Sequence, residues 1–365
     1  MLAHFKNKIF LVTEQLDELL MVMLQKNISD AHLEPMAQNL RIRLRLDGIL
    51  HEAALLTKEQ GQAMISRIKL LAQCDISEQR MPQDGRLYYD KFVEADLRIS
   101  TCPTVFGEKL VMRNLKTLAK PLTIDMLGMH PAQQTIFLQA IQQPQGLILV
   151  TGPTGSGKTV TLYSALQHLN QAEKNIVSIE DPVEIKLAGI NQINIHPKIG
   201  LDFARSLRAT LRQDPDIIML GEIRDRETAE IAVAAAQTGH LVFSSLHTNN
   251  ALESIIRLQQ MGVEPYQLAS TLLLVVAQRL IRICCAFCTQ GCSHCHQGYS
   301  GRTGIYECLS LSSSMRQMIL NRTLNHIPIE LKNNGWLSLH DHAKQKVENK
   351  ITRVEEIQRV LGVEV

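Results

Sequence analysis

The segment from Gly152 to Thr159, Gly-Pro-Thr-Gly-Ser-Gly-Lys-Thr, constrains this chain more than any other. It follows the apolar run Gly-Leu-Ile-Leu-Val-Thr of residues 146–151 and opens a stretch with helical spacing. It therefore reads as a strand, a glycine-rich turn and a helix in succession. The glycines let backbone N–H groups turn inward as a cradle, and the helix N-terminus adds partial positive charge beside them. Such a loop suits phosphate. Gly152, Pro153, Thr154, Gly155, Ser156 and Gly157 form the cradle, Lys158 is placed to reach the outer phosphates of a nucleotide, and Thr159 to hold Mg²⁺.

The texture around this loop repeats. Residues 175–181, 216–222 and 240–246 are short, apolar, β-branched-rich runs separated by helical stretches. That alternation is the mark of a parallel sheet covered on both faces, so residues 124–365 are expected to form an α/β domain. Its last part, 309–365, is expected to be helical. Earlier in the chain, Leu40, Ile42, Leu44 and Leu46 alternate with Arg41, Arg43 and Arg45, a half-buried strand with a basic second face. Asp47-Gly48 then turns it back as a hairpin. Helical spacing returns over 58–72, a turn is expected at Pro82-Gln83-Asp84-Gly85, and shorter strands are expected around 86–100 and 109–113. Residues 1–115 are expected to form a small α+β domain. The pattern lapses over 116–123, with Pro121 inside, where a linker is expected.

Composition narrows the classes. At about 150 residues per domain, 365 residues suggest two domains. Lys and Arg number 38 against 36 Asp and Glu, too balanced for binding nucleic acid through a broad basic surface. Aromatics at 4% leave few platforms for stacked bases. Purely apolar runs such as Leu272 to Ala277 fall far short of the roughly 20 residues a membrane helix needs. The N-terminal stretch is interrupted by Glu14, Asp17 and Glu18, so it reads as an amphipathic helix and not a signal peptide. A cytoplasmic protein is expected.

Four further groups carry chemistry. The strand of residues 216–222 ends in Gly221-Glu222, which places Glu222 to polarise an attacking water. Glu180, Asp181 and Glu184 end another strand and offer a second carboxylate wall for the same crevice. His240 and His247 bracket the run Leu-Val-Phe-Ser-Ser-Leu, where two histidines could bond a γ-phosphate and report its presence. Of eight cysteines, five crowd into residues 284–295. Cys285, Cys288, Cys292 and Cys295 make two Cys-x2-Cys knuckles suited to tetrahedral Zn²⁺, with Gly291 in the short gap at positive φ. Cys284, His294 and His296 are alternative ligands, and a cluster of reduced thiols is the other reading.

Taken together these segments resemble the secretion ATPases that power type II secretion and type IV pilus or competence-pilus assembly. Ile28 to Pro35 is similar to that family's entry to its N-terminal domain, and Pro82 to Arg86 and Leu97 to Pro103 continue the likeness. Gly152 to Thr159 corresponds to its Walker A motif, Glu180 to Glu184 to its acidic box, Ile217 to Glu222 to its Walker B motif, and Thr238 to Thr248 to its histidine box. The resemblance implies a RecA-like ATPase domain preceded by a small PAS-like α+β domain. It further implies a homohexameric ring that binds ATP and Mg²⁺ between domains and between subunits, with Arg98 and Arg113 approaching the phosphates. An inner-membrane platform protein is the implied partner, at the cytoplasmic face, with no direct role for nucleic acid.

Two departures stand out. About 27 residues precede Ile28, where many members carry an extra docking domain. Three residues separate the Cys-x2-Cys pairs, where the family usually has a long insertion. A cysteine loop of any length favours an assembly motor over the pilus retraction motors, which generally lack one. A retraction motor, a RecA-like nucleic-acid translocase and a non-catalytic scaffold are the rival readings.

Overall fold

The computed structural model describes residues 12–26, 28–90, 95–115 and 123–362. The chain divides into two compact units, Met1–Pro121 and Leu122–Val365. Most of the expected linker, residues 116–122, lies outside the described residues, as do residues 1–11.

The first unit holds α1 (Val12–Gln25), β1 (Asp30–Pro35), β2 (Asn39–Leu46), β3 (Ile49–Thr57), α2 (Lys58–Leu71), β4 (Gln83–Tyr89), β5 (Ala95–Thr104) and β6 (Gly107–Asn114). The strands form an antiparallel sheet in the order β3-β2-β1-β6-β5-β4. Alternation decides its faces. Leu33, Ile42, Leu44, Leu97, Ile99, Leu110 and Met112 point to a core closed by Leu16, Leu19 and Leu20 of α1 and by Met64 and Ile68 of α2. The turn between β2 and β3 has φ of 48° at Asp47 and 87° at Gly48, the pair of positive values a two-residue hairpin of this twist requires.

The expected turn at Pro82–Gly85 is not there. Gln83, Asp84 and Gly85 are strand residues paired with Thr101, Ser100 and Ile99. Gly85 serves close packing: a Cβ on it would lie 2.6 Å from both the Ala72 carbonyl oxygen and the Cys74 sulfur. Two arginines of the basic face of β2 converge on one carboxylate, together with a lysine of β6. Glu34 of β1 takes Arg43 at 2.7 Å, Arg41 at 3.0 Å and Lys109 at 3.1 Å. Burial pushes the Glu34 carboxyl up, but hydrogen bonds from Arg43, Lys109 and Arg41 outweigh it and hold the group at about 2.

The second unit is built on a seven-stranded sheet in the order β13-β12-β7-β11-β10-β8-β9. Its strands are β7 (Gly146–Thr151), β8 (Ile176–Glu180), β9 (Asn191–Asn194), β10 (Ile217–Leu220), β11 (Leu241–Leu246), β12 (Leu272–Cys284) and β13 (Tyr299–Ser310). All neighbours run parallel except β12 and β13, which form a long hairpin. Helices cover both faces. Leu147 and Leu149 of β7 pack with α5 (Phe203–Thr210), α6 (Arg226–Gln237) and α7 (Ala251–Gln260), whereas Ile148 and Val150 pack with α3 (Pro131–Ile141) and α4 (Lys158–Leu169). Burial on both sides explains why these strands are continuously apolar.

The run Leu272–Ala277, read only as too short for a membrane, is the first half of β12. The chain after it is not helical until Ser313, because β13 extends through Ser310. From there α9 (Ser313–Leu320), α10 (Ile327–Asn333), α11 (Leu339–Glu348) and α12 (Val354–Leu361) follow, and with α8 (Pro265–Thr271), which leads into β12, they complete the unit. Among the described residues no helix is long and apolar enough to cross a membrane.

Candidate functional site

Parallel register gathers the chemistry at one edge. Thr151, Glu180, Leu220 and Leu246 are the last residues of β7, β8, β10 and β11, so the segments that follow each of them emerge together at the carboxyl ends of the strands. Residues 152–157 leave β7 there and lead into α4. Gly152, Gly155 and Gly157 have φ of 148°, 79° and 88°, values that glycine adopts without steric cost. No side chain caps the N-terminus of α4, which leaves its first-turn N–H groups available to an anion. Pro153 and Thr154 stand exposed on the rim, Ser156 is buried, and Thr159 is the second residue of α4. Lys158 Nζ donates to the carbonyls of Gly152 at 2.8 Å and Pro153 at 3.2 Å, which holds the ammonium at the mouth of the loop. Burial pushes its pKa down, against the upward pull of Glu222.

Glu222 faces this loop from the end of β10. One carboxylate oxygen meets Arg224 at 2.5 Å and the other lies 3.4 Å from His247 Nε2. Burial and the Lys158 charge lower the His247 pKa, while Glu222 opposes the shift. Arg224 also reaches Asp181 at 4.0 Å, which ties the acidic segment after β8 to the one after β10. The charge of Glu184 acts on Lys158 as well. Hydrogen bonds from backbone and hydroxyl groups tie the segments of this edge together: Gly221 N donates to Ile179 O at 2.8 Å, Ser245 Oγ to Gly221 O at 2.6 Å, and Thr248 N to Thr151 Oγ1 at 2.9 Å.

Two expected members of the crevice are elsewhere. Glu180 is only 4% exposed, and its carboxylate accepts from Tyr163, from Ser178 at 2.6 Å and from Gln192 at 3.1 Å. It braces the back of α4 and does not wall the crevice, because it is the last inward-facing residue of β8. His240 precedes β11, and Gly146 N at the start of β7 donates to its carbonyl at 3.1 Å. It therefore sits at the opposite edge of the sheet from the phosphate cradle of its own chain. Its Nδ1 lies 2.9 Å from the Ala235 carbonyl, so it closes the end of α6. A strand flanked by two histidines cannot bring both to one end.

The cysteine loop closes the β12–β13 hairpin. Cys285, Cys288, Cys292 and Cys295 place their four sulfurs within 4.8 Å of one another, and none is in a disulfide. Measured pairs at 3.8, 3.3 and 3.6 Å compare with about 3.8 Å between sulfurs on a tetrahedral zinc with 2.3 Å bonds. Backbone N–H groups of Phe287 and His294 point at Cys285 and Cys292 sulfurs at 3.4 Å, and Gly291 has φ of 148°. This donor set fits Zn²⁺. Cys284 is outside it, its N–H bonded to Ile351 O at 2.8 Å.

In the first unit, Arg98 and Arg113 are direct partners in the β5–β6 ladder. Arg86 lies opposite Arg98, Asp30 opposite Arg113 and Arg45 opposite Asp30, so one row across the solvent face carries four arginines and a single acid. Asp30 accepts from Arg113 Nε at 2.8 Å. Like charges placed opposite one another are unfavourable in a sheet unless an anion joins them.

Arg224, Thr151 and Thr248 are not among the residues expected from the sequence. Only Arg224, two residues from Glu222, had a local signal; the others act across long sequence separations.

A family model described as "Type II/IV secretion system protein" matches residues 6–359. The chain is 47% identical to the protein transport protein HofB homolog of Escherichia coli, covering 96% of this chain and 81% of that one. It is 43% identical to the type IV pilus assembly ATPase PilB of Pseudomonas aeruginosa, covering 96% and 67%. Among solved structures, the pilus retraction motor PilT with bound ADP superposes with a TM-score of 0.68 at 27% identity, over 94% of this chain and 95% of that one. With a phosphate cradle, a strand-end glutamate and this match along nearly its whole length, the chain belongs to the type II/IV secretion system proteins and is a P-loop ATPase.

Proposed function

We propose that this ATPase works as a homohexameric ring at the cytoplasmic face of the inner membrane and powers assembly of a type IV pilus or a type II secretion pseudopilus. The observation that carries the reading is Glu222, held by Arg224 and His247 on the same sheet edge as the Gly152–Thr159 loop. In hydrolysis a water oxygen attacks the γ-phosphorus, the bond to the β–γ bridging oxygen breaks, and the water's proton passes to Glu222. Lys158 stabilises the charge on the phosphoryl oxygens, Thr159 holds Mg²⁺, and Arg98 and Arg113 supply guanidinium groups to the same charge. His247, touching Glu222, responds to the loss of the γ-phosphate. Asp181 helps to hold Arg224, and Glu184 adds negative charge beside Lys158. Zn²⁺ on the four cysteines has a structural role. An inner-membrane platform protein receives the work, and nucleic acid has no direct part in it.

Assembly is favoured over retraction by degree of likeness, 43% to a pilus assembly ATPase against 27% to a retraction motor. The test is phosphate release by the purified full chain with Mg²⁺ and ATP, beside deletion of its gene in the parent cell. Release that needs Lys158, with filaments or secretion lost on deletion, supports the reading. Undiminished release from Lys158→Ala, or filaments that accumulate on deletion, overturns it.

A further inference from the structure

The phosphate loop works only if its N–H groups face the nucleotide, so few of them are left to pair with the loop's own carbonyls. Each of those carbonyls then needs a donor. Gly152 O and Pro153 O are met by Lys158 Nζ, and Gly157 O by Thr161 N at 3.2 Å. Ser156 O is met from outside the loop altogether, by Gln278 Nε2 at 2.6 Å.

Gln278 stands on β12 one residue beyond Ala277, the last residue to pair with β7, where the loop and the strand part company. It is 1% exposed. Its amide is used at both ends, because Thr161 Oγ1 of α4 donates to its Oε1 at 2.7 Å. The loop is also pressed against it: a Cβ at Gly152 would lie 2.6 Å from the Gln278 carbonyl oxygen, and one at Gly157 3.2 Å from Nε2. One residue therefore meets Gly152, Ser156, Gly157 and Thr161. Only a side chain with a donor and an acceptor side by side can do so.

We propose that Gln278 is the positioning residue for the phosphate loop, holding the Ser156 carbonyl outward so that the loop's N–H groups stay turned toward phosphate. The inference rests on the reading of residues 152–159 as the nucleotide loop. Gln278 acts through the loop, so its removal weakens the binding of phosphates in ground state and transition state alike.

The experiment compares wild type with Gln278→Met, which keeps the length and loses both bonds, Gln278→Glu, which keeps the acceptor alone, and Thr161→Ser, which keeps the hydroxyl. ADP and AMP affinities are measured by calorimetry, together with KM and kcat for ATP and the melting temperature of each full-length protein. KM and the ADP Kd are expected to rise about tenfold in Gln278→Met with kcat changed less than about threefold. AMP, which lacks the β-phosphate that the loop surrounds, loses much less affinity than ADP. Gln278→Glu should resemble Gln278→Met, and Thr161→Ser wild type. Equal loss of AMP and ADP affinity would mean general damage to the fold and would overturn the proposal, as would wild-type KM in Gln278→Met. If Gln278→Met does not fold, Gln278→Glu decides on the same readouts. Lys158→Ala binding ADP like wild type would instead sink the nucleotide-loop reading itself.

Discussion

His247 and Glu222, which end adjacent parallel strands, meet at 3.4 Å, and the second Glu222 oxygen is held by Arg224 at 2.5 Å. Both neighbours of this carboxylate are cations or potential cations, so it is oriented without being buried away from the loop. Glu222→Gln keeps the shape and removes the proton acceptor. Hydrolysis should fall by about 10²–10⁴-fold while ATP binding persists, read as single-turnover phosphate release beside equilibrium binding. Unchanged release would remove Glu222 from the role of base.

A second consequence follows from His342, buried where β13 meets α11. Its Nδ1 accepts the Tyr306 N–H at 3.0 Å, and burial, with the charges of Lys346 and His130 adding to it, pulls its pKa down to about 4. The folded state therefore refuses a proton that the unfolded state takes at its ordinary value near 6.5. Stability is complete above about pH 6.5 and is lost as pH falls toward 4, by roughly 3 kcal/mol in all. Denaturant midpoints measured across that window should show the slope. His342→Asn, which keeps an acceptor for Tyr306 and cannot titrate, should flatten it.

The four cysteine sulfurs close the far end of the hairpin that begins beside the phosphate loop. The purified protein should carry about one zinc per chain by elemental analysis, and Cys288→Ser should carry little. A chelator, or that substitution, should lower the melting temperature by about 5 °C or more. A zinc-free wild type with the same melting temperature as Cys288→Ser would return the cluster to ordinary reduced thiols.

What was legible in the sequence was whatever the chain encodes locally. The phosphate loop needs its glycines at fixed offsets, and Asp47-Gly48 needs positive φ at two neighbouring positions, so both are written in a few adjacent letters. Register is not local. His240 and His247 look equivalent in sequence, yet parallel pairing of β11 with β7 sends them to opposite edges. Glu180 reads like Asp181 and Glu184 until the pleat turns it toward Tyr163. Gly85 ends the run Pro-Gln-Asp-Gly, which has the composition of a turn, but its small size serves contact with Ala72 and Cys74. Gln278 is an isolated polar residue behind an apolar run, and its bond to Ser156 spans 122 positions.

The arginine row of the first unit gives the last test, because its members differ in how fully they are engaged. Arg86 is held by Asp96 through two bonds, at 2.8 and 2.6 Å. Among the described residues Arg98 has only a 3.5 Å contact with the exposed Asp84, and Arg113 gives Nε to Asp30, with 61% of its side chain exposed. A guanidinium already saturated by a carboxylate has little left for phosphate, whereas one fixed at a single nitrogen offers a preset fork. Arg98→Ala and Arg113→Ala should each lower kcat by about 10²-fold or more, and Arg113→Lys should recover little of it. Arg86→Ala should cost less than about threefold, because its fork is occupied. These rates are measured on assembled protein at saturating ATP. Equal losses for all three would show that the row acts as diffuse charge, and no loss at Arg98 and Arg113 would exclude them from the phosphate site.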